Sequence, residues 1–162
     1  MAGAPPKRGA ERQRPWTGPW LVHFFQRHPE DDPRAEVLAR VFLDMCPVAA
    51  KLLAVAKAVA DTPPPAFAGG GKWETMHGEM AGYYEVRVDG PGRRHYRLFC
   101  VLERDGAALG LGGPSIVLIT GMEKSFRTTF SRRDYEKVRS LGDEYRARIP
   151  RRYDRKLWIG VM

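Results

Sequence analysis

Two cysteines, Cys46 and Cys100, are all the thiol in this 162-residue chain, too few for the disulfide framework of a small secreted domain. They suit a reducing cytosol as small buried hydrophobes, and no bridge between them is expected. No apolar run approaches the ~18 residues that cross a bilayer, so no membrane span is expected and the protein reads as cytoplasmic. The four histidines, His23, His28, His77 and His95, lack the spacing of a zinc site, and neither metal nor cofactor is expected. A G-x-S-x-G elbow, a Walker lysine and a dinucleotide fingerprint are also missing, which removes most support for acyl, nucleotide and hydride chemistry. The glycine triplet at 69–71 opens no helix and carries no Lys-Ser/Thr, so it is not read as a phosphate loop.

What is present is an ordinary globular balance, 43% hydrophobic and 28% charged, in a length that supports one domain. The net charge is +8, and it is unevenly placed. Residues 1–81 hold 10 Lys and Arg against 9 Asp and Glu, whereas residues 82–162 hold 17 against 10. That concentration points to a polyanion or an acidic protein as partner. Residues 1–18, basic and rich in Pro, Gly and Arg without an apolar stretch, read as a flexible tail and not a secretory signal. The domain is expected over 19–149, with 150–162 as a C-terminal extension whose Leu157-Trp158-Ile159 would dock on the domain or a partner.

Trp20-Leu21-Val22-His23-Phe24-Phe25 predicts a first strand. Asp32-Pro33 then reads as an N-cap and first helical position, with Val37, Leu38, Val41, Phe42 and Met45 at helical spacing, so a helix is predicted over about 32–45. Pro47 opens a second, alanine-rich helix that the prolines at 63–65 end, and the pair reads as an αα-hairpin laid on a sheet. Residues 63–82 hold three prolines and five glycines and read as a long loop pinned by Trp73 and Met76. Strands are predicted over about 83–89, 94–103 and 115–120, the last apolar on both faces and hence covered on both sides or central. Ser131 to Asp134 forms a capping box, after which Tyr135, Val138, Leu141, Tyr145 and Ile149 continue one helical face as far as Pro150. The expected class is α+β in the order β-α-α-β-β-β-α, with an antiparallel-rich sheet packed on the αα-hairpin.

Alternation places Tyr83, Glu85 and Arg87 on one face of their strand, and His95, Arg97, Phe99 and Val101 on the matching face of the next. The apolar faces opposite must meet on the helix-covered side, so the turn holds three residues or five. A three-residue turn, Pro91-Gly92-Arg93, sets Arg87 opposite Arg97, a repulsion that an anion such as phosphate relieves. A five-residue turn sets Arg97 opposite Glu85, an ion pair worth under about 1 kcal/mol on a solvated face. Lys124 and Arg127 follow the last strand. With Arg87, Arg97, His95, Tyr83, Phe99 and Phe130 they would form a cationic, aromatic concavity suited to RNA phosphates and unstacked bases.

Gly82-Tyr83-Tyr84-Glu85-Val86-Arg87-Val88, Tyr96-Arg97-Leu98-Phe99, Ile116-Val117-Leu118-Ile119 and Gly121 to Lys124 resemble, in order and spacing, the RelE/HigB toxins of type II toxin-antitoxin systems. The resemblance lies with the phage-derived HigB-like subgroup of the RelE/ParE superfamily and covers residues 20–148. It implies a small endoribonuclease that cuts mRNA, often on the ribosome, and that a cognate antitoxin of helix-turn-helix type neutralises. The chemistry implied is metal-free: the ribose 2′-hydroxyl attacks the adjacent phosphate in line. By resemblance Arg97 contacts the scissile phosphate, and Arg87 and Lys124 take the flanking basic positions. Arg127, Tyr83, Phe99 and Phe130 would contact RNA, with Phe130 near where some members carry a tyrosine. Glu85 and His95 are the proton acceptors within reach, neither secured by the motif. The chain also departs from the family at Glu74-Thr75-Met76-His77-Gly78, where many relatives have a lysine-rich stretch. A non-enzymatic binder, either ParE-like or confined to RNA or antitoxin, is the alternative function.

Overall fold

In a computed structural model that describes residues 19–62 and 71–155, the first strand is β1 (Leu21–Phe24), followed by helices α1 (Leu38–Asp44) and α2 (Ala49–Asp61). A short strand β2 (Trp73–Thr75) and a 3-10 turn (Gly78–Met80) lead into β3 (Tyr83–Gly90), β4 (Arg94–Glu103) and β5 (Ser115–Ser125), and α3 (Arg132–Arg146) comes last. The sheet runs β1-β5-β4-β3-β2, with β1 parallel to β5 and the other neighbours antiparallel. The class is α+β, as expected, but the order gains a strand and becomes β-α-α-β-β-β-β-α.

That extra strand is β2, in a stretch the sequence assigns to a loop. Trp73 pairs with Val86 in the ladder, is buried, and stacks on Tyr84 at 5.1 Å between ring centroids. Burial of an indole, worth more than the turn preference of its glycine neighbours, holds the segment to the edge. The prolines at 63–65, Gly69 and Gly70 lie outside the described residues, as do residues 1–18 and Leu157-Trp158-Ile159.

The first helix also begins later than predicted, at Leu38 instead of about 32. Asp32 still caps, but it caps a turn: its carboxylate accepts the N–H groups of Arg34 at 3.2 Å and Glu36 at 3.0 Å. Ala35, at φ +49°, is in the left-handed region and interrupts the helical backbone there,. At the other end of the chain the capping box forms as read, with Ser131 Oγ accepting from Asp134 N and Asp134 Oδ2 accepting from Ser131 N. The helix it starts stops at Arg146, so Ile149, expected on its apolar face, lies beyond it and is exposed.

Both faces of the sheet are covered, by different helices. Val86, Leu98 and Leu118 turn toward α2 residues such as Leu52 and Val59 in one core. Phe99, Val117 and Ile119 turn the other way, against Val138 and Tyr145 of α3. The face of β3 and β4 expected to lie away from the helices is therefore half covered, because α3 returns across it. Beyond α3 the chain continues to the β1 edge, where Asp154 N donates to Phe24 O at 2.8 Å and Tyr153 bridges Phe25.

The hairpin takes the three-residue turn. Arg87 stands opposite Arg97 and Val88 opposite Tyr96, and the pairing closes at Gly90 and Arg94. Gly92 at φ +75° and Arg93 at φ +55° turn the chain, and the Tyr96 hydroxyl holds the tip by donating to Pro91 O. Strand β5 outruns its predicted end at 120. A bulge against Phe99 and Cys100 leaves Ile119 outside the ladder pairing, and the strand resumes so that Lys124 faces His95,. Gly121 and Lys124, read as a post-strand motif, are thus strand residues.

Candidate functional site: a half-covered sheet face

Three cross-strand rows run along this face from beneath the start of α3 to the hairpin tip. Glu85, Phe99 and Thr120 form the first, Arg87, Arg97 and Met122 the second, and Asp89, His95 and Lys124 the third. Even-numbered spacing along β3 and odd-numbered pairing across the hairpin put all of them on one side. The start of α3 stands over the first row, where Phe130 and Tyr135 meet the edge of Phe99 at 6.1 and 6.2 Å between centroids.

The two facing arginines are neutralised by separate carboxylates of the chain. Arg87 is partly exposed, 3.5 Å from Glu85 and 3.7 Å from Glu74. Arg97 is only 5% exposed. One of its terminal nitrogens donates to Tyr96 O at 2.9 Å, to Asp89 Oδ1 at 3.1 Å and, more weakly, to Val88 O at 3.4 Å. Arg97 thus presents almost no surface to a phosphate, and Arg87 is the arginine of the pair that does.

Glu85 is half-buried, and burial pushes its carboxyl above the ordinary glutamate range, with Arg87 and then Arg97 pulling the other way. The Tyr135 hydroxyl, also pushed up by burial and next by the charge of Glu85, belongs to the same neighbourhood. These groups line a cleft of ≈ 390 Å³ between β2, β3 and α3, with Glu74, Arg132 and Arg139 on its walls. Glu79 meets Arg132 and Arg139 at 3.6 Å each across its mouth.

The third row is organised by Asp89. Its Oδ1 lies 2.7 Å from His95 Nδ1 as well as 3.1 Å from Arg97, and the hydrogen bond from His95 chiefly holds its carboxyl below the ordinary aspartate range. A carboxylate can only accept, so Nδ1 of His95 is the donor in this contact. Lys124, across the row, pairs with the capping carboxylate of Asp134 at 2.7 Å and lies 5.8 Å from the Phe130 ring.

Several of the residues expected to contact RNA fall elsewhere. Tyr83 and Phe99 are 3% and 0% exposed; their rings fill the α3 core and offer no face to a base. Phe130 is half-buried, and Arg127 is exposed in the β5–α3 connection. Local sequence pattern does not single out Tyr135 or Asp89. Helical spacing puts Tyr135 on the apolar face of its helix, which accounts for its ring and is silent about its hydroxyl. Asp89 shares the alternation of Glu85 and Arg87 but stands beside Pro91-Gly92, where an aspartate reads as a turn former.

A larger hollow of ≈ 990 Å³ lies by residues 147–155, and two of its arginines, Arg148 and Arg151, are engaged within the chain. Arg148 binds Asp31 at 2.6 Å and Glu30 at 3.3 Å, and Arg151 donates to the carbonyls of Arg146 and Arg148. Among the described residues no three His, Cys, Asp or Glu side chains gather as a metal site, both cysteines are free thiols, and no helix is long and apolar enough to cross a membrane.

Neither a protein-family model nor a curated protein sequence matches the chain. A chain in the crystal structure of the toxin-antitoxin complex RelBE2 from Mycobacterium tuberculosis is similar to it at a TM-score of 0.43 and 16% identity, covering 69% of this chain and 99% of that one. At that identity and overlap no residue role and no activity passes from one chain to the other.

Proposed function

We propose that the protein is a RelE/HigB-like toxin of a type II toxin-antitoxin pair, acting in the cytoplasm as an endoribonuclease on single-stranded mRNA, free or presented by a ribosome. The observation that carries this reading is the Glu85–Arg87 pair at the cleft beneath Tyr135. A carboxyl that burial shifts above the ordinary glutamate range, 3.5 Å from a partly exposed guanidinium, supplies a base and a phosphate ligand in one place. The antitoxin partner, of helix-turn-helix type, follows from the sequence resemblance and from the basic second half of the chain.

In this reading Arg87 receives the scissile phosphate and Glu85 takes the proton of the ribose 2′-hydroxyl. The 2′-oxygen bonds to phosphorus, the bond to the 5′-oxygen breaks, and the products are a 2′,3′-cyclic phosphate and a 5′-hydroxyl. The Tyr135 hydroxyl donates toward the departing oxygen. Arg97 contributes its charge from below the surface and holds Asp89, while Lys124 fixes the start of α3 through Asp134.

The test is incubation of the purified protein with single-stranded RNA and with translating ribosomes. Cyclic phosphate ends are expected, and Glu85→Gln is expected to slow their formation by about 10²- to 10⁴-fold. Intact RNA in both assays overturns the reading. A second reading, a non-enzymatic binder of RNA or antitoxin, is favoured by one observation: Arg97 and Lys124 are already paired with Asp89 and Asp134. Salt-sensitive RNA binding without cleavage is its signature.

A further inference from the structure

At the hairpin tip, in the third row, lies a feature that the cleavage scheme does not use. Phe126 is among the large apolar side chains left exposed, at 39%, and it is held in place from two sides. Its N–H donates to Arg93 O at 2.8 Å, tying the end of β5 to the turn, and its ring lies against that of His95, 4.8 Å between centroids and tilted by 36°. His95 is in turn fixed by Asp89, and Asp89 by Arg97, which two main-chain carbonyls anchor. An exposed aromatic ring backed by such a chain of supports loses little freedom when something stacks on it.

The surroundings are cationic. Arg93 and Arg127, the residues on either side of this contact in the turn and after β5, are exposed, while Arg94 is 3.2 Å from Glu123. Aromatic faces flanked by arginines suit a strand whose bases are unstacked and whose phosphates lie alongside. One row along β3 is two residues, about 7 Å, so the platform stands roughly 13 Å from Glu85, on the same face.

We propose that Phe126, seated on His95, is a stacking platform for an unpaired nucleobase of the RNA strand whose phosphate enters the Glu85–Arg87 cleft, with Arg93 and Arg127 meeting the flanking phosphates. The proposal rests on the RNA reading of that cleft but not on cleavage. It also gives Asp89 and Arg97 a role: they are positioning residues for the platform.

The experiment is a binding titration in the Glu85→Gln background, using a short single-stranded RNA and an abasic strand of equal length. Phe126→Ala is expected to weaken RNA binding about tenfold, within the range of one lost base–aromatic stack, and Phe126→Tyr to restore it. In Phe126→Trp the added indole fluorescence should be quenched by RNA and not by the abasic strand. Equal affinity for the two strands, or RNA binding indifferent to Phe126→Ala, overturns the platform even if cleavage by the parent protein is intact, and so does an absence of RNA binding. Phe126-dependent binding by a protein that cuts no RNA supports the platform and removes the nuclease reading alone.

Discussion

Arg87 stands directly opposite Arg97 in the β3–β4 ladder, yet the two guanidinium groups turn to different carboxylates, Arg87 to Glu85 and Glu74 and Arg97 to Asp89. A like-charge pair that would weaken a bare hairpin is thereby divided into a partly exposed cation and a buried one. The division predicts unequal responses to the same substitution. Arg97→Ala removes a buried group that bonds two carbonyls and a carboxylate, and should lower stability by about 1–3 kcal/mol. Arg87→Ala, at partly exposed ion pairs of 3.5 and 3.7 Å, should lower it by less than about 1 kcal/mol. Urea denaturation of the two variants decides, and equal losses would contradict the assignment.

Glu85 predicts a pH dependence of stability. Its folded carboxyl titrates above the unfolded one because burial penalises the anion. Between those two values the folded state holds the extra proton, so this residue's contribution declines as pH rises through the folded value. Glu85→Gln should match the parent's melting temperature at pH 4 and exceed it at pH 8, while cleavage slows. A gap that narrows with rising pH would reverse the sign of the burial argument.

Asp134 should behave in the opposite sense. Lys124 chiefly, and the Ser131 cap, hold its carboxyl below the ordinary range. Its contribution is present above that range and is lost as pH falls through the depressed value. Ser131→Ala removes the reciprocal half of the box and should cost about 0.5–2 kcal/mol, measured by thermal unfolding at pH 7. The same variant should release the α3 start from the sheet, seen as faster amide exchange in its first turn.

Gly121 invites a packing test. A Cβ built there would run into the ring of Phe42, with three ring carbons too close. Gly121→Ala should destabilise by about 1–3 kcal/mol through overpacking, and Gly121→Ala with Phe42→Leu should recover part of the loss. An Ala variant as stable as the parent would mean that α1 can shift away from β5.

Alternation along 83–103, turn chemistry at Pro91-Gly92 and the Ser131–Asp134 box are local patterns. They determined which residues share a face, the three-residue turn once a functional face was assumed, and where α3 begins. They also placed Glu85, Arg87, Arg97 and His95 together, since period-2 geometry needs no knowledge of the rest of the chain. Tertiary contacts decided what these residues can do. The return of α3 buried Tyr83 and Phe99 and opened a cleft beside Tyr135; the bulge at Ile119 carried Lys124 into the sheet; Trp73 made a strand of a glycine-rich stretch. Each depends on residues distant in sequence meeting at one point, and the energy of such contacts, unlike a dihedral preference or a cap, is not written in any short window of the chain.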